Sequence, residues 1–155
     1  MTKILFISRR NTCRSPLAEY IMKKSVQKAG LEAQIQIDSA ATSQEEIGCP
    51  VDLPIRQLLS ELGIDCSCKT ARRLQNDDYD KCDLLIGMDQ ENLHDMYRIC
   101  GGDFDGKMHL LMEYAGRPDQ EVADPWYTDD FEATWRDVLA GCQGILKETG
   151  KHKDG

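Results

Sequence analysis

Seven residues lying between an apolar run and a helix start, Ser8-Arg9-Arg10-Asn11-Thr12-Cys13-Arg14, carry the chemistry of this chain. The segment ends on Ser15-Pro16, and a proline at the first helical position marks a helix N-terminus there. A loop that feeds a helix start gathers unpaired amide N–H groups at the positive end of the macrodipole, which makes it a seat for an anion. Arg14, six residues after Ser8, adds a fork able to grip two oxygens of a phosphate. An arginine set at a helix N-terminus without an anion to hold would be disfavoured by the dipole. Many α/β proteins begin with a strand, a loop and a helix, so geometry alone says anion and nothing finer.

The elements that position this loop follow from the apolar pattern. Ile4 to Ile7 is a short β-branched and aromatic run bounded by polar residues, the pattern of a buried parallel strand. After Pro16, Ala18, Met22, Val26 and Ala29 fall on one helical face with Leu17 and Ile21 beside them, and Gly30 is expected as the left-handed cap. Ala33 to Ser39 reads as a second strand with Ile35 and Ile37 on one face. A polar loop from Ala41 to Val51 precedes a helix over Asp52 to Leu62, stopped by Gly63. Leu84-Leu85-Ile86 is a third strand, leading through Gly87-Met88-Asp89 into a helix that runs to Cys100. Lys107 to Leu111 makes a short fourth strand.

A long loop, Glu113 to Thr128, then holds Asp124-Pro125-Trp126-Tyr127, and loops of that length are usually functional. The last helix is expected to open at Asp129-Asp130-Phe131-Glu132, with an Asp cap and Glu132 three residues on forming a capping box. Its core stripe is Phe131, Trp135, Val138, Cys142 and Ile145. Strands alternating with about four helices predict an α/β fold: one domain over residues 1–150, a doubly wound four-stranded parallel sheet with helices on both faces. The tail, residues 151–155, is expected to be disordered. The first βα loop then sits at the carboxyl edge of the sheet, where ligands bind in such folds.

The chain has 155 residues, enough for one domain that buries roughly two-thirds of its unfolded surface. No apolar run approaches 18 residues, so no membrane span is expected, and the N-terminus runs directly into a strand without a secretory signal. Seven cysteines (13, 49, 66, 68, 82, 100 and 142) are odd in number and scattered, the usage of a reduced cytoplasmic protein. Cys66-x-Cys68 has no matching second pair, and His94, His109 and His152 have no ligand spacing, so neither metal nor cofactor is expected. A formal charge of −8 argues against nucleic acid and anionic membrane as partners. Lys3, Arg9, Arg10 and Arg14 nonetheless make one basic mouth on an acidic body, which suits a small anionic group.

The stretch Asn11-x-Cys13-Arg14-Ser15-Pro16-x-Ala18-Glu19 resembles the phosphate loop of the low-molecular-weight protein tyrosine phosphatases. That family reads Cys-x-Gly-Asn-x-Cys-Arg-Ser-Pro-x-Ala-Glu, with the first Cys as nucleophile. Matches continue in order and spacing at Asp38-Ser39-Ala40, Thr70-Ala71-Arg72, Asp83-Leu84-Leu85-Ile86 with Met88-Asp89, and Asp124-Pro125, covering nearly the whole chain. The resemblance implies the family's fold and its chemistry on phosphotyrosine-containing protein. It makes Arg9, Arg10, Asn11, Thr12, Cys13, Arg14 and Ser15 the phosphate-binding loop, with Arg14 gripping the equatorial oxygens. Asp124 matches the acid that protonates the leaving phenolate and then activates water. Asn11 and Ser15 match the residues that hold the loop in shape, Ser39 their supporting partner, and Trp126 and Tyr127 half of a phenyl slot. Asn suits its place because it tolerates a left-handed backbone while its amide bonds back to the chain. Cys13 matches a second loop Cys that protects the first through a disulfide; with no first Cys that switch cannot operate, and Cys13 is left as a small packed residue.

Ser8 stands at the nucleophile position, and the Leu-Gly usual after it is Arg9-Arg10. The reaction needs an ionised nucleophile that is also a good leaving group in the second step. A Cys at a helix N-terminus beside Arg is lowered to about 3.5–7.5 and is largely thiolate at neutral pH. A Ser hydroxyl starts several units higher, each unit costing about 1.4 kcal/mol, and no His is matched nearby to serve as base. By analogy with removal of a covalent nucleophile elsewhere, turnover is expected to fall by about 10⁴ or more. Ser8 arises either from a laboratory Cys→Ser trap or from natural loss; the simultaneous change to Arg9-Arg10 favours natural loss.

The rim departs too. Where the family commonly places an aromatic wall after the second strand, this chain reads Ser43-Gln44-Glu45-Glu46-Ile47, whose acids repel a phosphate. Lys69 replaces a frequent His and is expected to weaken the Ser39 network, while Arg9 and Arg10 add positive field. The sequence therefore points to a pseudophosphatase that binds phosphate or phosphotyrosine without turning it over. The alternatives are residual or trapped phosphatase activity through Ser8 and Asp124, and a protein–protein scaffold with a vestigial pocket that uses Trp126 and Tyr127 at its interface. The related arsenate reductases also need the missing Cys. Nothing in the sequence addresses oligomeric state.

Overall fold

The computed structural model describes residues 1–150; the expected tail, residues 151–155, lies outside them. The elements in order are β1 (Thr2–Ser8), α1 (Arg14–Lys28), β2 (Ile35–Ala41), α2 (Leu53–Glu61), α3 (Asp78–Lys81), β3 (Leu84–Gly87), α4 (Gln90–Cys100), β4 (Met108–Leu110), α5 (Leu111–Tyr114), α6 (Pro125–Thr128) and α7 (Phe131–Gly150). The four strands form one parallel sheet in the order β2-β1-β3-β4, with Ile4 opposite both Ile37 and Leu84. β1 is thus central, and Ile4 through Ile7 are fully buried.

Alternation along β1 splits the core between the two faces, because successive side chains point to opposite sides of a strand. Ile4 and Phe6 join Leu17, Met22, Ile55, Leu59, Val138 and Ile145, contributed by α1, α2 and α7. Leu5 and Ile7 join Tyr79, Leu85, Met96 and Met108 under α3 and α4. This is the doubly wound arrangement read from the sequence. The strand order reverses at β1, so the loop leaving its carboxyl end opens at the crevice where open α/β sheets bind ligands. No helix among the described residues is long and apolar enough to cross a membrane.

Several details differ from the sequence reading. Ala29 is exposed at the end of α1, leaving the core to Leu17, Ala18, Ile21, Met22 and Val26. β2 begins two residues later than expected and continues through Ala40 and Ala41, because it pairs residue by residue with β1 out to Ser8. The fourth strand is shorter than expected, Met108–Leu110; Leu111 instead opens the single turn α5, which overlaps the start of the long loop, and that loop ends in a second single turn, α6. The turn α5 fits against α7 because Gly141 and Gly144 lack a Cβ: one added at Gly144 would sit 1.9 Å from the Tyr114 carbonyl oxygen, and one at Gly141 2.4 Å from Leu111 Cγ. Asp129 closes α6 with φ at 58°, and Asp130 caps α7 by accepting the Ala133 amide at 3.0 Å, so the expected Asp129–Glu132 box is not formed.

Candidate functional site

The loop from Ser8 to Arg14 closes into a cup over the N-terminus of α1. Its lining comprises the whole loop together with Asp52, Asp124 and Trp126. Asn11 takes the left-handed conformation, φ 61°, that bends the loop back on itself. Among the described residues, the amide N–H groups of Arg10 to Ser15 donate to no protein acceptor. Turned inward at a helix start, such amides form an anion-binding concavity.

Beneath the cup runs a buried polar network. Asn11 Oδ1 accepts the Arg72 backbone amide at 3.1 Å, which orients its NH₂ toward the serines. That group donates to Ser15 Oγ at 2.8 Å and to Ser39 Oγ at 2.9 Å. Ser39 in turn donates to Glu19, a carboxylate only 2% exposed. Ser15 Oγ also shares a hydrogen bond with Ser8 Oγ, 2.6 Å away, in which either hydroxyl can donate. Ser8 is thus bonded into the cup floor. No carboxylate or histidine bonds to it among the described residues, and no histidine lines the cup.

Lys69 does not weaken this network, contrary to expectation. Its ammonium lies 3.1 Å from Glu19, 3.2 Å from Asp38 and 3.1 Å from the Ser39 carbonyl, joining two carboxylates beneath the loop. Burial pushes the Asp38 carboxyl up, but Lys69, the Ser39 amide and Arg72 together outweigh it and hold the group below its ordinary value. Glu19 and Lys69 escaped the role assignment from sequence. The signal for Glu19 was its place one turn after Ser15, on the helix face that meets Ser39.

Arg14 is buried, and its Nη1 donates to Asp89 Oδ2 and to the Val122 carbonyl, each at 2.8 Å. Its Nη2 lies 3.7 Å from Asp124. Asp89 caps α4 through the Asn92 amide at 2.8 Å, which fixes it at the carboxyl end of β3, beside β1. Asp124 caps α6 through the Trp126 amide at 3.0 Å, so the late loop brings it into the lining of the cup that also holds Ser8. Asp52 adds a second acid at the edge, accepting from Thr12 Oγ1 at 3.4 Å; burial raises its carboxyl above the ordinary value despite that bond. Burial likewise pushes the Cys13 thiol far up, so it stays protonated at the start of α1.

The rim corrects the expected charge balance. Glu45 does not stand free to repel a phosphate: it pairs with Arg9 at 2.8 Å and with Arg10 at 3.3 Å, while Arg9 also reaches Glu91 at 3.5 Å. The same pairs cancel the positive field expected of Arg9 and Arg10. Arg10 extends further, to Asp124 at 3.3 Å and over the Trp126 ring at 4.6 Å.

The structure therefore brings Ser8, the loop residues, Ser39, Asp124 and Trp126 into one site, with Tyr127 at its edge. A family model described as low molecular weight phosphotyrosine protein phosphatase matches residues 3–154. The low molecular weight protein-tyrosine-phosphatase YfkJ of Bacillus subtilis is 33% identical over 154 residues, 99% of each chain, and its crystal structure superposes with a TM-score of 0.94 over 99% of this chain and 97% of that one. The low molecular weight phosphotyrosine protein phosphatase of Gallus gallus is 34% identical over 149 residues, 94% of each chain. The crystal structure of SP-PTP, the low molecular weight protein tyrosine phosphatase from Streptococcus pyogenes, is 35% identical with a TM-score of 0.83, over 96% of this chain and 93% of that one.

Proposed function

Because the chain belongs to the low molecular weight phosphotyrosine protein phosphatase family, we propose that it binds phosphate or phosphotyrosine-containing protein in the Ser8–Ser15 loop as a pseudophosphatase. The phosphoryl group sits on the loop amides, Arg14 turns its fork toward the equatorial oxygens, and Ser8 faces the phosphorus from below. The observation that carries this reading is the environment of Ser8 Oγ: a hydroxyl hydrogen-bonded to another hydroxyl, Ser15 Oγ, at 2.6 Å, with no carboxylate or histidine bonded to it among the described residues. Attack by that hydroxyl lacks a proton acceptor, and the alkoxide is a far worse leaving group than a thiolate in the step that regenerates the enzyme. The loop therefore holds its ligand without turning it over. The scattered cysteines fit a reducing, cytoplasmic setting.

One feature favours residual phosphatase activity as the second reading: Asp124 lines the same cup as Ser8, and a carboxyl there could protonate a leaving phenolate. The two readings separate on hydrolysis of para-nitrophenyl phosphate and on calorimetry with orthovanadate. The expected result is turnover below one per hour with measurable vanadate binding that Arg14→Ala abolishes. Turnover above one per second would overturn the pseudophosphatase. Absence of vanadate binding in the native chain would leave a scaffold whose pocket no longer serves.

A further inference from the structure

The aromatic part of the site already has an occupant, and it comes from the loop itself. The Arg10 guanidinium carbon lies 4.6 Å above the Trp126 ring and 5.7 Å from the Tyr127 ring centre. Its Nη2 donates to the Tyr127 hydroxyl at 3.4 Å, its Nη1 meets Asp124 at 3.3 Å, and its Nε meets Glu45 at 3.3 Å. Arg9 next to it is 40% exposed, whereas the Arg10 side chain is 12% exposed: it is folded into the rim and not held out in solvent. A cation over an aromatic face is held by the ring quadrupole, and a phenyl ring seeking that face competes with it directly.

We infer that Arg10 is a specificity-determining residue, standing in the aromatic slot in place of a ligand's ring and turning the site toward small phosphoryl groups over aryl phosphates. The inference rests on the reading that the cup takes phosphoryl groups. Inorganic phosphate needs only the loop amides and Arg14, and leaves Arg10 where it is. A phenyl ring must displace the guanidinium from Trp126, which also strips Asp124 and Glu45 of that cation. Because Arg10 is already shared between two carboxylates, it has little charge to offer an incoming phosphate in return.

Calorimetric titration of inorganic phosphate and of phenyl phosphate into the native chain, Arg10→Ala and Glu45→Gln tests this. Titrated at about pH 8.5, both ligands present a phosphate dianion, so the loss of the Arg10 charge cancels in the ratio of their dissociation constants. In Arg10→Ala that ratio is expected to move about tenfold in favour of phenyl phosphate, equal to about 1.4 kcal/mol. Glu45→Gln, which only loosens the tether, moves it about threefold the same way and carries the test if the first variant fails to fold. A ratio that stays put or moves toward inorganic phosphate overturns the inference and leaves the phosphate cup standing. If neither ligand binds to any of the three folded proteins, the cup itself falls and the inference with it.

Discussion

At the floor of the cup, Asn11, Ser15, Ser39 and Glu19 are buried and bonded to one another through side-chain donors and acceptors of matched polarity, with Lys69 closing the network. At the rim, Arg9, Arg10, Glu45 and Asp124 are joined by ion pairs of 2.8 to 3.3 Å, beside Trp126 and Tyr127 that stand 64% and 70% exposed. The difference matters because an unpartnered polar group in a dry floor costs its full desolvation, whereas an ion pair as exposed as Arg9–Glu45 is worth about 0–1 kcal/mol. The floor therefore tolerates only substitutions that keep its bonds. Ser8 keeps them: its hydroxyl fits the contact with Ser15 at 2.6 Å, so the cradle is whole with a hydroxyl at that place. The exposed part of the rim, Arg9 with Glu45, can change at little cost.

This contrast can be broken most forcefully at Ser8. If only the reacting atom is missing from an intact floor, Ser8→Cys should raise para-nitrophenyl phosphate hydrolysis by on the order of 10⁴ or more, read as steady-state absorbance. No gain would place the defect in the rim, around Asp124. Next in size is stability. Lys69→Met leaves Glu19 and Asp38 without their shared cation and should cost about 3 kcal/mol in urea unfolding, whereas Arg9→Ala at the rim should stay within about 0.5 kcal/mol. Equal losses would erase the distinction between floor and rim.

The smallest effect is a pH dependence. Asp38 is held below its ordinary value of 3.8 in the folded chain. A depressed carboxyl contributes stability that is present above the ordinary value and lost as pH falls through the folded one. Asp38→Asn should therefore be less stable than the native chain at neutral pH, with the gap narrowing below about pH 4. A gap that widens in acid would show that the Lys69 and Arg72 contacts do not hold that carboxylate ionised.

Much of this was legible in the residues themselves. The apolar run Ile4 to Ile7, the helical spacing of Leu17, Ala18, Ile21 and Met22, and Pro16 at the helix start located β1, the loop and α1 because periodicity and local backbone preference act over a few residues. The single turns α3, α5 and α6 were not legible, since four residues span barely one helical period and leave no pattern to read. The end of β2 was hidden for a related reason: Ala40 and Ala41 carry no alternation, and only pairing with β1 makes them strand. Asp129 and Asp130 are equally good caps by type; the left-handed Asp129 ending α6 decided between them.

By itself, the sequence determined the fold class and the place of the loop between β1 and α1, with Ser8 at its start. Each of these is a property of residue type and near spacing. Tertiary structure alone decided that Lys69 joins Glu19 to Asp38, that Arg14 is held by Asp89 and the Val122 carbonyl, and that Arg10 lies across the aromatic pair. Those contacts span from 31 to 117 residues of chain. They depend on which strand ends meet at the sheet's carboxyl edge and on side-chain directions that no local pattern encodes.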